Sequence, residues 1–585
     1  MRIGKHSVSL IVVTLTAGCL IGCGGGGQTG SQSIQTPNPP TPPVSSSTPH
    51  PNGLWTTLNQ RMPLNPIHAA LLHNGKILIV QGSGNDPSVT DFQAGIWDVQ
   101  TGSLNIIHNL PWDMFCNGMT ILQDGRVLIS GGTLKYSQMA HVVGTGQDDP
   151  FEGQSNTTMF DPDTNSFSDV VPSLHGRWYP TVTELNDGRV MTFSGLDEIG
   201  NTNQTIEIFT VDAAGTTKSQ PFTSPWAPEL YPRMHLLPNG KIFYSAPTSD
   251  SHLFDPATNT WVDNPMLSSV PGTPPTTVAW TVYGGGNEER TYGSSVLLPL
   301  TPANNYNPKV FIMGGDNPAT DTTEVIDLGQ PFYQWEWQPG PRMSQPRVEM
   351  ESTILPSGKV LVYAGSAQDE DVSTASLKAE LYDPATNTFS SAGSNSVPRL
   401  YHNVGLLLPD ATVVLAGGNP AQGIYEDRVE IYKPAYLFNA DGTAAKRPII
   451  GSGLPASITY GATFSIPTPD AGGITSIALL KPGSATHSFD MDQRYVGLSF
   501  TDSQAGGGSL TVTGPPNSNI APPGYYMLFL INSAGVPSIA SFVQITGAPA
   551  APAGAAQFKP LIALPAITPK RPRKVTEAPL PLRMK

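Results

Sequence analysis

One short phrase recurs seven times along the chain and leaves few folds open to it. Each copy has a turn, a basic or small residue, and then an apolar run that usually ends in small residues. The copies begin Asn74-Gly75-Lys76-Ile77, Asp124-Gly125-Arg126-Val127, Asp187-Gly188-Arg189-Val190, Asn239-Gly240-Lys241-Ile242, Pro308-Lys309-Val310, Ser357-Gly358-Lys359-Val360 and Asp410-Ala411-Thr412-Val413. The apolar run suits a buried inner strand, and the small residues let backbones crowd near an axis. A unit that recurs with its own turn and strand buries its faces only against its neighbours. Seven units predict an all-β chain with a seven-bladed β-propeller over 53–440. An array of β-sandwiches is the competing class, and it does not need the double-glycine ending.

The copies stand about 50 to 70 residues apart, near the kelch period of roughly 50. A second phrase falls between some of them: Phe160-Asp161-Pro162, Phe254-Asp255-Pro256 and Tyr382-Asp383-Pro384, each followed by an Asn three residues on. Trp97-Asp98-Val99 is a degenerate copy. Asp, Pro and Asn supply turn geometry at a strand end. Only 13% of residues are charged, while Gly (59) and Pro (58) are abundant, which suits a turn-rich β protein. Past residue 440 the repeat stops. Short alternating strands such as Ile474-Thr475-Ser476-Ile477 and Tyr525-Tyr526-Met527-Leu528 predict an immunoglobulin-like sandwich over 441–546. Residues 547–585 are Ala/Pro-rich and locally basic, and read as a disordered tail.

The first 22 residues have a basic start and an apolar run from Val8 to Ile21, too short for a spanning helix. Leu20-Ile21-Gly22-Cys23 resembles a bacterial lipoprotein cleavage box, which makes Cys23 the expected lipidation site. An ordinary signal peptide cleaved nearby is the alternative. Residues 23–52 read as a flexible linker. The expected location is extracytoplasmic, either anchored by lipid to a bacterial envelope or secreted. The net charge of −14 argues against nucleic acid as a partner. A ring that closes on itself predicts a monomer.

Cys116 is then the one cysteine outside the export segment, in a protein expected to leave the cytoplasm. It is either a buried small hydrophobe or a reactive group. Other segments stand at comparable places: Arg177-Trp178-Tyr179-Pro180 and Arg399-Leu400-Tyr401-His402-Asn403, before the third and seventh repeat strands. Cys116, Tyr179 and Tyr401-His402 all precede a predicted inner strand, so a propeller brings them to one end of its axis. Thr486-His487-Ser488 lies in the C-terminal domain.

With these residues in this order, the chain resembles the copper-radical oxidases, the family of galactose oxidase and glyoxal oxidase. The resemblance spans nearly all of 53–546. It implies that Cys116 is bonded through sulfur to the ring of Tyr179. It also implies that Tyr179, Tyr401, His402 and His487 bind one copper. Imidazole and phenolate suit copper(II). Alcohol oxidation needs two electrons, and the implied Cys116–Tyr179 thioether radical holds the second oxidising equivalent. The implied reaction converts a primary alcohol or aldehyde, with dioxygen, to an aldehyde or acid and hydrogen peroxide. Tyr401 is the implied general base. Substrates range from small molecules to glycans, and no organic cofactor is signalled.

Where galactose oxidase places a tryptophan over its cross-linked tyrosine, strand-for-strand alignment puts Asp197 here. Trp178 and Trp280 are the other indoles that could cover the ring. Among the histidines near repeat strands, His68, His73, His175 and His235 are assigned to no metal; His175 and His235 are near enough to back up the site. The second functional class is an inactive kelch-propeller lipoprotein that binds glycan or protein. The intact five-residue set separates the oxidase from it.

Overall fold

The computed structural model describes residues 50–137, 150–212, 215–283, 289–421, 423–502 and 508–547. The export segment, Cys23, most of the linker and the basic tail lie outside the described residues. The described chain is nearly all β, and no helix in it is long and apolar enough to cross a membrane.

Seven antiparallel sheets of four to six strands succeed one another between Leu54 and Lys433 among the described residues, with a two-stranded ribbon of Thr133–Lys135 and Glu152–Gly153 beside the second. Their innermost strands are His68–Leu71, Gly118–Ile121, Thr181–Glu184, Met234–Leu236, Ser294–Leu297, Val348–Ile354 and Asn403–Leu407. Neighbouring innermost strands touch, from the second sheet to the fourth and from the fifth through the seventh to the first. This is the propeller arrangement. The repeated phrase turns out to be the hairpin between the innermost strand and the next one out. The apolar run is therefore the second strand from the axis, and the innermost strand is the stretch before the turn. Both strands are buried on both faces, so apolarity alone does not rank them.

The turn chemistry follows the letters. Asn74, Asp124, Asp187, Asn239 and Asp410 each accept a hydrogen bond from the backbone N–H two residues on. The residue between then takes a left-handed conformation, as at Gly75 (φ 81°), where the missing Cβ removes the steric cost. The second phrase works alike: Asp161, Asp255 and Asp383 cap their turns, and Asn165, Asn259 and Asn387 take φ of 53–55°.

A buried ion pair recurs in four sheets. Arg177–Glu207, Arg290–Glu324, Arg347–Glu380 and Arg399–Glu430 lie 2.8–3.5 Å apart. Each arginine stands just before an innermost strand, and each glutamate lies on the third strand of the same sheet. The guanidinium also donates to the end of the second strand, at Ser194, Gly314, Ala364 or Gly417. Each pair thus fastens the mouth of its sheet.

The N-terminal strand Leu54–Arg61 pairs antiparallel with Arg428–Lys433 and forms the outer strand of the seventh sheet. The C-terminal region forms a five-stranded and a three-stranded sheet whose inner faces share one core, with Ile466, Leu510 and Val512 packed among Leu479, Leu528 and Val543. That core continues into the propeller through Phe243, Leu297 and Val310, residues of the fourth and fifth sheets. Lys481 of the sandwich is buried between Glu184 on the propeller and Asp492.

Candidate metal centre

The five expected residues converge. Cys116 and Tyr179 stand two residues before the innermost strands of the second and third sheets, and His402 stands one before that of the seventh. Tyr231 and Tyr292 stand three and two residues before the innermost strands of the fourth and fifth sheets, and Glu349 is the second residue of the sixth's. All six are non-glycine residues with positive φ, between 47° and 70°. Such backbone is costly and persists where the surroundings hold it, a pattern that clusters at functional sites. Here hydrogen bonds around the mouth hold it. Tyr179 N–H donates to Cys116 O (3.0 Å), Tyr231 N–H to Tyr179 O (2.9 Å) and Glu349 N–H to Tyr292 O (3.0 Å). The Cys116 N–H donates to His68 Nε2 at 3.1 Å.

His487 arrives from the sandwich. A hairpin of Ser484–Thr486 and Phe489–Asp490 adds to the innermost strand of the first sheet, with Ala69 opposite Ala485. His487 (φ 47°) and Ser488 (φ 68°) make its tight turn. Buried Arg233 donates to His487 O at 3.0 Å, and Thr486 Oγ1 donates to Ile67 O at 2.9 Å. The turn is thereby clamped on the axis.

Around His487 the rings close in. Ring centroids lie 4.6 Å from His487 at Tyr179 and at His402, and 5.2 Å at Tyr401. Cys116 Sγ is 3.9 Å from His487 Nε2. Cys116, His402 and His487 each bring a ligand atom within 4.8 Å of the others.

The hydrogen bonds leave specific atoms free. His402 Nδ1 bonds Asn419 Oδ1 at 2.7 Å, and His487 Nδ1 bonds Thr486 Oγ1 at 2.5 Å. Each contact places the ring proton on Nδ1 and leaves a lone pair on Nε2, the usual orientation of a metal-bound histidine. His402 Nε2 and Tyr179 Oη are buried without a hydrogen-bond partner. Burial pushes His402 down to about 3 and His487 well below the usual range, with neighbouring His402 and His68 adding to the latter, so both rings are neutral. Burial pushes the Tyr401 phenol well up, so a phenolate there calls for a cation beside it. Orphaned buried donors cost free energy. A cation with nitrogen and oxygen preference accounts for all of them, and this donor set fits copper(II).

The profile of the glyoxal oxidase N-terminus matches residues 93–436, more than half of the chain. The chain belongs to the glyoxal oxidase family. It is accordingly a copper-dependent oxidase of the copper-radical group that its motifs resemble. The galactose oxidase-like early set domain matches 447–545, the sandwich of this glyoxal oxidase family member. A galactose oxidase of Gibberella zeae is 27% identical over 519 residues, covering 83% of this chain and 69% of its own. The aldehyde oxidase GLOX of Vitis pseudoreticulata is 28% identical over 557 residues, covering 84% and 97%. A fungal alcohol oxidase of the AA5 family, solved in complex with copper, shares the fold with a TM-score of 0.69 at 24% identity, covering 84% of this chain and 99% of that one.

Other expectations sort out as follows. Asp197 lies in a turn, where its carboxylate accepts from Ile199 and Asn201. The indole on Tyr179 is Trp178, 3.8 Å between centroids, itself stacked on Phe151 at 4.3 Å. Trp280 pairs with Asp250 in the fourth sheet. His175 pairs with Glu198 at the surface, and His235 bonds Ser295 and packs on Phe489 of the His487 hairpin. Unforeseen neighbours are His68, Tyr231 and Tyr292, whose hydroxyl lies 3.2 Å from that of Tyr401. Tyr231 and Tyr292 stand just before an innermost strand and His68 opens one, and that place was a usable signal; their residue types were not.

Proposed function

We propose that this enzyme oxidises a primary alcohol or aldehyde with dioxygen, giving an aldehyde or acid and hydrogen peroxide, at a copper held by Tyr179, Tyr401, His402 and His487. The orphaned His402 Nε2 and Tyr179 Oη beside Cys116 Sγ and His487 Nε2 carry the reading. Bound copper supplies a seat for the substrate oxygen and a one-electron oxidant.

The chain's own residues do the rest. Tyr401 Oη takes the hydroxyl proton of the alcohol, or of the hydrate that an aldehyde forms with water, with Tyr292 Oη next to it. Tyr179, joined to Cys116 Sγ, carries the second oxidising equivalent as a radical and takes a hydrogen atom from the substrate carbon. Forming that thioether removes one hydrogen from the thiol and one from the ring, with dioxygen as acceptor. Trp178, backed by Phe151, covers Tyr179 and keeps water from it. Per turnover, two electrons and two protons pass from substrate to dioxygen. We place export and lipidation at Cys23 in the same reading, on the strength of the Leu20-Ile21-Gly22-Cys23 box, with a monomeric enzyme.

The test is peptide mass after copper loading in air. The expected result is one species joining the tryptic peptides of Cys116 and Tyr179, lighter by two hydrogens and resistant to reductant. Separate peptides with a freely alkylated Cys116 overturn the oxidase reading and favour a propeller that binds glycan or protein.

A further inference from the structure

At Tyr179, Tyr231 and Glu349 the positive-φ residue gives its N–H to the backbone carbonyl of the positive-φ residue in the preceding sheet. Cys116 (φ 64°) departs from this pattern: its N–H goes to a side chain, His68 Nε2, at 3.1 Å. His68 is fully buried and opens the innermost strand of the first sheet. That strand also carries the His487 hairpin, and the Ile67 carbonyl just ahead of it accepts from Thr486 Oγ1. Accepting at Nε2 places the ring proton on Nδ1. Burial, with His402 adding to it, pushes His68 well below the usual range, so the ring is a neutral acceptor. On its other side Cys116 accepts from Tyr179 N–H, at 3.0 Å. Cys116 is thus held between His68 and the residue its sulfur is proposed to join. Its Sγ lies 3.9 Å from His487 Nε2, and the Tyr179 ring packs on the same imidazole at 4.6 Å between centroids.

A left-handed backbone at a non-glycine residue persists only where its neighbours hold it. Without an acceptor the buried Cys116 N–H is orphaned, and turning the peptide relieves that cost. The turn swings Sγ with it, and misplacing a reacting atom by about 1 Å slows bond formation steeply. We propose that His68 is a positioning residue for the cross-link: it holds Cys116 in the conformation that aims Sγ at the Tyr179 ring, and so sets the rate at which the thioether forms. This rests on the oxidase reading above and deepens it, naming the group that readies the site. The step breaks the Cys116 S–H bond and one ring C–H bond of Tyr179 and forms one C–S bond. Two electrons and two protons pass to dioxygen, giving hydrogen peroxide. His68 exchanges neither electron nor proton; it supplies geometry alone.

The full chain, prepared without copper and then loaded with copper in air, tests it through two readings. One is copper per chain; the other is the fraction of linked Cys116–Tyr179 peptide against time. His68→Phe fills a similar space and accepts no hydrogen bond. It should bind copper as the native chain does, yet link more slowly by roughly tenfold or more. His68→Gln, whose Oε1 reaches the place of Nε2, should link within about threefold of the native rate. Slow linking in the first variant with rescue in the second separates the acceptor from packing. Should His68→Phe fail to fold, His68→Asn, whose amide stops short of that place, replaces it with the same expectation. Native-rate linking without the acceptor, equal slowing in the glutamine variant, or loss of copper from the variant without the acceptor overturns the proposal. A native chain that never links overturns the oxidase reading instead, and this inference falls with it.

Discussion

Tyr401 and His402 are adjacent in the chain, yet the backbone sends them to different neighbours. Tyr401 meets the hydroxyl of Tyr292, while His402 turns its Nδ1 to Asn419 and its Nε2 to the empty side of the ring. Tyr401→Phe should therefore keep copper and the linked peptide, yet lower kcat for peroxide release by about 10² to 10⁴. His402→Ala and His487→Ala should lose copper, as metal analysis of the purified protein will show. Asp113 adds a pH prediction. Burial holds its carboxyl up at about 6 against hydrogen bonds from Ser83 and Phe115, from an ordinary value of 3.8. The folded state binds the extra proton between those values, so stability falls as pH rises through about 4 to 6, on the order of 3 kcal/mol from this group. Asp113→Asn should flatten the decline of melting temperature over that range. At this scale the convergence of five candidate positions was legible because each sits in a recognisable context, Met-Phe-Cys, Arg-Trp-Tyr, Tyr-His or Thr-His-Ser. Tyr231 and Tyr292 share the backbone place of Cys116 but no motif, since a strand-mouth residue is specified by its φ and its neighbours, not by one letter.

Among the elements, the hairpin turns were readable and the fastenings were not. Asp-Gly or Asn-Gly before an apolar run names a turn because side-chain capping and left-handed glycine are local chemistry. Arg399 and Glu430 are 31 residues apart, and either alone looks like a solvated charge; only the strand pairing that aligns Leu415 with Glu430 brings them together. Rank within the sheet was also hidden, since the innermost and second strands are equally apolar. Removing one partner of a buried pair leaves the other uncompensated. Glu430→Ala is expected to destabilise by about 3 to 5 kcal/mol, lowering the melting temperature. It should also reduce copper content, because Arg399 stands two residues ahead of Tyr401. A surface pair such as Arg61–Asp427 should show almost no change in the same assay.

For the whole molecule, the seventh sheet decides whether the ring is closed. Its outer strand Leu54–Arg61 comes from the opposite end of the repeat array. A chain truncated through Arg61 should aggregate, because Arg428–Lys433 becomes an open sheet edge; a chain truncated through Thr48 should stay monomeric by light scattering. That closure also sets an order of events. The strand that seals the ring leaves the ribosome first and has no partner until residue 428 follows it. His487 emerges later still, on a hairpin that can pair with the first sheet only when that sheet stands in place. On the proposed ligand set, three donors are thus fixed by a completed ring, and the fourth, His487, is delivered afterwards from the sandwich. Under the proposed reading, a nascent or nicked chain that lacks the sandwich offers an incomplete set of ligands and would not begin the radical chemistry. Oxidising power would then wait on the arrival of that hairpin, and the fold itself would serve as the safety catch.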